Sequence, residues 1–259
     1  MSSNKKKITN KTQWDNIYKK LHGKIPRIPD TKSWFGYQLY TTINKYFKKV
    51  KTKQFMEAGC APGEYGVYFA KSFGYEIFGF DYSRDGVLLT KSNWKMLNIK
   101  GDVVEADVYN LPDYYQNYFD VVFSAGFIEH FKDVQEIIDI FYPLLKENGF
   151  IVTIIPNTCS CLNMALKKIF SNHDYMEMKK THVPIDFDNL LKYHSNYQIL
   201  CAKRIIGFFP DSIFPCNNVL SKIAKKILNK ALIIPARLNM VLQYNYFSSH
   251  FMIIGKKIV

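Results

Sequence analysis

The sequence predicts an α/β protein with a doubly wound, mostly parallel sheet of seven strands. Three observations predict it. Strand-like and helix-like patterns alternate from Gln54 to Ile155. The first strand runs straight into a turn of small residues, and the next two strands each end in an acid. Such alternation builds a parallel sheet with helices on both faces, and ligands bind past the carboxyl ends of its strands.

The elements follow in chain order. Residues 1–12 read as a basic tail, and Trp14, Ile17, Tyr18 and Leu21 share one face of a short helix over Trp14–Leu21. A Pro-containing linker spans Gly23–Pro29. Ser33 is placed to cap a helix running to about Val50, with Phe35, Leu39, Ile43 and Phe47 on one stripe. A strand, Gln54–Ala58, precedes the small-residue turn and a helix over Tyr65–Phe73. Strand Glu76–Asp81 leads to helix Gly86–Met96. Strand Val103–Ala106 leads to a loop, and strand Asp120–Ala125 to a helix over Val134–Lys146 that Asn148-Gly149 ends. A fifth strand runs Phe150–Ile155. Beyond it, Leu162–Phe170 and Phe187–Tyr193 read as helices, and Ile199–Ile206 and His250–Lys256 as strands. An added helix over Val219–Leu232 has four lysines opposite its apolar face. Pro235 and the apolar residues up to Leu242 then suggest a helical hairpin.

Composition bounds the function. The chain has 259 residues, 47% of them hydrophobic and 22% charged, which suits a globular protein with a full core. No run of about 18 apolar residues occurs, so no membrane span is expected. The start, MSSNKKKITNKTQW, has no apolar segment and is not a secretory signal, so a cytoplasmic location is expected. The five cysteines form no CxxC pair, and His, Asp and Glu show no metal-ligand spacing, so no metal is expected. The net charge of +13 is unevenly placed. Residues 1–54 hold 14 Lys and Arg against two acids, and residues 200–259 hold nine against one. Residues 55–199 therefore carry a net −7. Basic flanks around an acidic middle suggest an anionic partner: a phosphorylated small molecule, nucleic acid or a membrane surface.

The turn reads Glu57-Ala58-Gly59-Cys60-Ala61-Pro62-Gly63. Gly59, Ala61 and Gly63 let a ligand approach the backbone closely. Their spacing is not the Gly-x-Gly-x-x-Gly of nicotinamide-dinucleotide sites, and the Gly-Lys-Ser/Thr end of a P-loop is absent. Asp81, 18 residues beyond Gly63, is placed to accept hydrogen bonds from both hydroxyls of a ribose. Asp107, at the end of the third strand, can accept from an adenine amino group.

The stretches FMEAGCAPGEYG (55–66), FGFDYS (78–83), VVEADVYNLPD (103–113), YFDVVFSAGFIEHF (118–131) and LLKENGFIVTIIPN (144–157) together resemble the class I S-adenosylmethionine-dependent methyltransferases, in their small-molecule branch. The resemblance covers about residues 50–160. It implies a Rossmann-like methyltransferase fold with the seventh strand reversed. It also implies S-adenosylmethionine as cofactor and S-adenosylhomocysteine as product. Glu57, Gly59, Ala61 and Gly63 would hold the methionine moiety, Asp81 the ribose and Asp107 the adenine, with Tyr82, Val108 and Ser124 also binding the cofactor. Ala61 departs from the glycine usual in the family. By the same resemblance, residues 1–50 cover the cofactor and residues 51–206 form the core. Residues 207–245 make a helical cap over the acceptor, and residues 246–259 return to the sheet. Trp14, Tyr18 and Tyr37 would pack near the cofactor, and Arg27 would meet its carboxylate.

Methyl transfer is an in-line displacement that needs an aligned nucleophile and, for a hydroxyl, a proton acceptor. Residues just past the fourth strand belong beside the methyl: Ser124-Ala125-Gly126-Phe127-Ile128-Glu129-His130-Phe131. His130 is the first candidate base and His182 the second, with His173 weaker. His130 can equally serve with Glu129 to order the loop. The Asn/Asp-Pro-Pro-Tyr motif for base amino groups is absent. The expected acceptor is a small anionic molecule, an oxygen of a phosphorylated or nucleotide-linked precursor such as one for a surface polysaccharide. Two alternatives stand beside it: an RNA methyltransferase, though no RNA-binding module is recognisable, and a non-catalytic scaffold with peripheral membrane contact. The oligomeric state stays open.

Overall fold

β1 (Gln54–Ala58) is buried along nearly its whole length, as a central strand covered on both faces must be. The computed structural model describes residues 6–22, 25–49, 53–158, 180–206 and 248–258, with positions 223 and 227. Around β1, Glu76–Asp81 forms β2, Gly101–Glu105 β3, Phe119–Ala125 β4, Leu145–Pro156 β5, Tyr197–Ile206 β6 and Ser248–Lys257 β7. The sheet order is β3-β2-β1-β4-β5-β7-β6. β1 pairs in parallel with β2 and β4, β2 with β3, and β4 with β5. β7 runs antiparallel to both β5 and β6. The expected doubly wound sheet of seven strands with a reversed last strand is present.

Helices lie on both faces, and their starts are capped as the local sequence dictates. Helix α1 (Lys11–Lys19) opens on a reciprocal capping box between Asn10 and Gln13. Helix α2 (Trp34–Tyr46) opens on Ser33, and α3 (Glu64–Phe73) on Gly63. Ser83 caps α4 (Arg84–Met96), Asp133 caps α5 (Val134–Phe141) and Asp186 caps α6 (Phe187–Tyr193). Alternate residues of β4 feed two cores. Val122 packs with Phe80, Phe141, Ile151 and Phe251 on one face. Val121 and Phe123 pack with Phe55, Phe69, Val152 and Leu39 on the other.

Several boundaries differ from expectation. The helix expected over Val134–Lys146 ends at Phe141. Pro143 follows one residue after its cap and cannot continue it. The chain then enters β5 early, with Leu145 paired to Phe119 and a register shift before Val121. Asn148, at φ +62°, turns the chain inside β5 instead of ending a helix. Helix α2 stops at Tyr46, because Phe47 turns extended and buries its ring against Phe69 and Phe150. Helix α1 starts at Lys11, where Asn10 supplies the cap. The expected helices Leu162–Phe170 and Val219–Leu232, the hairpin near Leu242, the 207–245 cap and His173 lie outside the described residues. Positions 223 and 227 alone are described there: both are helical, and Ile223 and Ile227 are exposed.

Candidate active site

The strand order turns back between β1 and β4, and the carboxyl ends of β1, β2, β3 and β4 meet along one edge there. Backbone hydrogen bonds tie these ends together. Cys60 N donates to Phe80 O, and Ala106 N to Asp81 O, both at 3.0 Å. This crevice is where an open α/β sheet takes its ligand.

The turn after β1 is shaped by two glycines. Gly59 sits at φ +64°, and a Cβ there would lie 2.5 Å from the Phe127 ring. Gly63 sits at φ +84°, with the Trp94 indole where its Cβ would be; Trp94 Nε1 donates to Gly63 O at 2.9 Å. Only glycine tolerates both conformation and crowding. Glu57 stands behind this turn, and its Oε2 accepts from Gly66 N at 2.9 Å. Burial pushes its carboxyl well above the usual range.

Asp81 is buried at the end of β2. It accepts from Ser83 N at 2.8 Å and Ala61 N at 3.2 Å. Burial raises its carboxyl to about 6, against the pull of these amides, with Asp15 adding repulsion. Asp107 follows β3, and Lys7 Nζ lies 2.5 Å from its Oδ2. The same ammonium sits 3.7 Å from the Tyr82 ring centre.

Two cavities share a wall. A narrow one, ≈ 50 Å³, is lined by Gly59, Asp81, Tyr82, Asp107, Val108, Lys7 and Tyr18 among others. A large one, ≈ 750 Å³, is lined by Lys20, Phe35, Tyr65, Glu129, His182 and His250 among others. Thr9, Trp14, Gly126 and His130 line both. The N-terminal segment supplies the roof. Lys7 forms a β-bridge with Phe131, and Ile8 N donates to His130 O at 2.9 Å.

At the shared wall, Ile128–His130 forms a 3₁₀ turn after β4. His130 Nδ1 lies 2.7 Å from Thr181 O, so Nδ1 must carry the hydrogen. Its ring packs edge-on against Trp14. Burial, aided by neighbouring His182, lowers His130 to about 4 and holds it neutral. The two imidazole centres are 4.5 Å apart. His182 Nε2 lies 4.0 Å from Glu129 Oε1. Glu129 is 2% exposed, and neither carboxylate oxygen has a hydrogen-bond partner among the described residues. Burial raises it to about 8.

The fold therefore brings Gly59, Asp81, Tyr82, Asp107, Val108 and His130 to one cavity, with His182 in the adjoining one. Glu57, Ala61 and Gly63 line neither cavity, and Ala61 reaches this wall through its N–H to Asp81. Ser124 is fully buried in β4 and lines neither cavity, whereas Ala125 and Gly126 beyond it line the large one and Gly126 both. A residue inside the strand points into the sheet's packing, and only the strand end reaches the crevice. Arg27 is also placed elsewhere. It pairs with Glu64, its backbone bonds to Asn93, and it lines neither cavity. Tyr37 lines neither cavity, while Trp14 lines both and Tyr18 the narrow one. The sequence pattern gave no sign of Lys7, since a lysine in a basic tail looks like any other. Glu129 was signalled only by its adjacency to His130.

Residues 56–153 match the model of a methyltransferase domain. No curated protein matches the sequence. Solved structures share the fold. One is geranyl diphosphate C-methyltransferase from Streptomyces coelicolor, with Mg2+, geranyl diphosphate and S-adenosylhomocysteine. It is 12% identical over 86% of this chain and 78% of that one, at TM-score 0.60. A second is the YcgJ protein from Bacillus subtilis, 14% identical over 86% and 99%, at 0.57. A third is phosphoethanolamine N-methyltransferase 2 from Haemonchus contortus, with phosphomonomethylethanolamine and S-adenosylhomocysteine. It is 18% identical over 86% of this chain and 53% of that one, at 0.58.

Proposed function

We propose that this chain, whose residues 56–153 match a methyltransferase domain model, moves the methyl group of S-adenosylmethionine to an oxygen of a small anionic acceptor held in the large cavity. The observation that carries the reading is the pair of cavities meeting at Gly126 and His130. One cavity has two carboxylate acceptors, Asp81 and Asp107, for the hydroxyls and amino group of a nucleoside, and the other has room for a second reactant.

The residues fit the cofactor by their chemistry. Asp81 offers a carboxylate, held by two amides, to two ribose hydroxyls. Asp107 offers an acceptor to an adenine amino group, with Val108 and Tyr82 as apolar flanks. The cavity measures only ≈ 50 Å³, and Lys7 forms part of its wall beside Asp107. Lys7 donates to the same Asp107 that would receive the adenine, so nucleoside binding displaces that ammonium. S-adenosylhomocysteine in two solved neighbours supports this choice of cofactor. The bound cofactor supplies an electrophilic methyl on a cationic sulfur. The chain's own work is to align the acceptor behind that methyl and to shield it from water. His130 and His182 are the acceptor-side groups, since both line the large cavity and His130 faces both chambers.

The anionic acceptor rests on the cavity wall more than on total charge. Lys20, His182 and His250 line it. Four N-terminal lysines are engaged elsewhere: Lys6 with Glu136, Lys7 with Asp107, Lys11 with Glu105 and Lys19 with Asp85. The phosphorylated acceptors named with two solved neighbours support the same class. A phosphorylated or nucleotide-linked sugar, including precursors of a surface polysaccharide, falls within it.

The test is a methyl-transfer screen with labelled S-adenosylmethionine against phosphorylated and nucleotide-linked metabolites, read by mass spectrometry of the methylated atom. Turnover of a phosphorylated acceptor and none of its dephosphorylated form is expected. Preference for uncharged acceptors refutes the anionic reading. With the acceptor found, His130→Ala is expected to lower kcat at least tenfold while cofactor affinity stays within twofold. Unchanged kcat removes His130 from the chemistry.

A further inference from the structure

We propose that Glu129, His130 and His182 hold a divalent transition-metal ion in the wall of the large cavity, where its remaining positions take oxygen atoms of the acceptor. The acceptor half of this inference rests on the proposed methyl transfer; the metal half stands by itself. One ligand atom from each of the three side chains lies within 4.8 Å of the other two. Ligands about 2.1 Å from a shared ion lie about 3.4 Å apart in a tetrahedron. Small side-chain rotations therefore close the set around one ion.

Three features separate this cluster from an ordinary polar contact. First, Glu129 is 2% exposed, yet neither of its oxygens has a hydrogen-bond partner among the described residues. An unpaired buried carboxylate is unfavourable unless a cation or a proton compensates it. Second, both imidazoles are oriented through Thr181. Its carbonyl lies 2.7 Å from His130 Nδ1, and its hydroxyl 2.9 Å from His182 Nδ1. Ligating histidines are held in this way, by a hydrogen bond at one ring nitrogen that fixes the plane of the imidazole. The His182 Nε2 is the atom on the Glu129 side, 4.0 Å from Oε1. Third, all three residues and Thr181 line the large cavity, so an ion held there would face the acceptor.

Two imidazoles and one carboxylate select zinc, iron, cobalt or manganese over magnesium or calcium, which prefer all-oxygen sets. Three protein ligands leave positions open, as in metal sites that bind substrate. An acceptor with a phosphate or two neighbouring oxygens completes such a site, which narrows the anionic class to chelating molecules. Linear spacing could not announce the cluster, because His182 reaches the other two only through the fold.

The test is a Co2+ titration of the chelator-treated full chain, followed by visible ligand-field absorption and calorimetry. One ion per chain in the micromolar range is expected, displaced by Zn2+. His182→Ala and Glu129→Gln are each expected to weaken it at least tenfold, with circular dichroism matching the parent. His22→Ala, a distant half-exposed histidine near Asp85, should leave it unchanged. Absence of one-to-one binding by the parent chain overturns the proposal, as does binding that neither cluster variant weakens. S-adenosylmethionine binding by the metal-free chain is measured in parallel. Retained cofactor binding without Co2+ binding sinks the metal site alone, and lost cofactor binding sinks the methyltransferase reading.

Discussion

Asp81 shows how one buried carboxyl sets a working pH range. Its ionised form accepts from donors, and burial raises its carboxyl to about 6. In the proposed ribose role, protonation below that value removes the acceptor for the hydroxyls. Cofactor affinity is therefore expected to be level above about pH 7 and to fall roughly tenfold per unit below about pH 5.5, in line with the linkage of one proton to binding. Asp81→Asn should weaken binding at least tenfold at pH 7.5 and flatten this slope, both read by calorimetry. A slope that persists in the variant assigns it to another group. Gly63 makes the same point for conformation. At φ +84° and against Trp94, alanine is expected to cost at least about 1–2 kcal/mol and several degrees of Tm. A thermal melt within one degree of the parent would contradict that account.

Among the elements, the N-terminal strap carries the clearest consequence. It is pinned at Lys7 by a β-bridge, an ion pair and a cation over Tyr82. The Lys7 side chain is only 6% exposed, so this contact escapes much of the screening that weakens surface pairs. With adenine at Asp107 as proposed, the strap yields before a nucleoside enters. Lys7→Ala is expected to speed cofactor association several-fold in stopped-flow measurements, because Asp107 no longer has to exchange partners. An unchanged or slower rate shows that the strap opens without breaking this pair. Elements were legible to the extent that their signals are local. The caps at Ser33 and Asp186 and the strands Gln54–Ala58 and Glu76–Asp81 fall where the pattern puts them. The α5–β5 junction does not, because Leu145 answers to Phe119 across the sheet and not to its neighbours in sequence.

Across the whole molecule, charge is organised by folding. The basic first fifty residues read as a lure for an anion. In the fold, four of their lysines and Arg27 meet carboxylates of residues 64–136. The acidic middle thus takes much of its compensation from its own flank, and Lys20 stays at the cavity wall. No helix among the described residues is long and apolar enough to cross a membrane.

Sequence alone determined the doubly wound sheet, the glycine turn and the two acids at successive strand ends. Each depends on periodicity, turn chemistry or position at a strand terminus, and all of these are written within a few residues. Only the tertiary structure decided that Lys7 covers Asp107, that Ser124 faces the sheet, and that His182 joins Glu129 and His130 through Thr181. Those contacts span distant stretches of chain. Their geometry follows from how strands stack and where loops return, which no local pattern encodes.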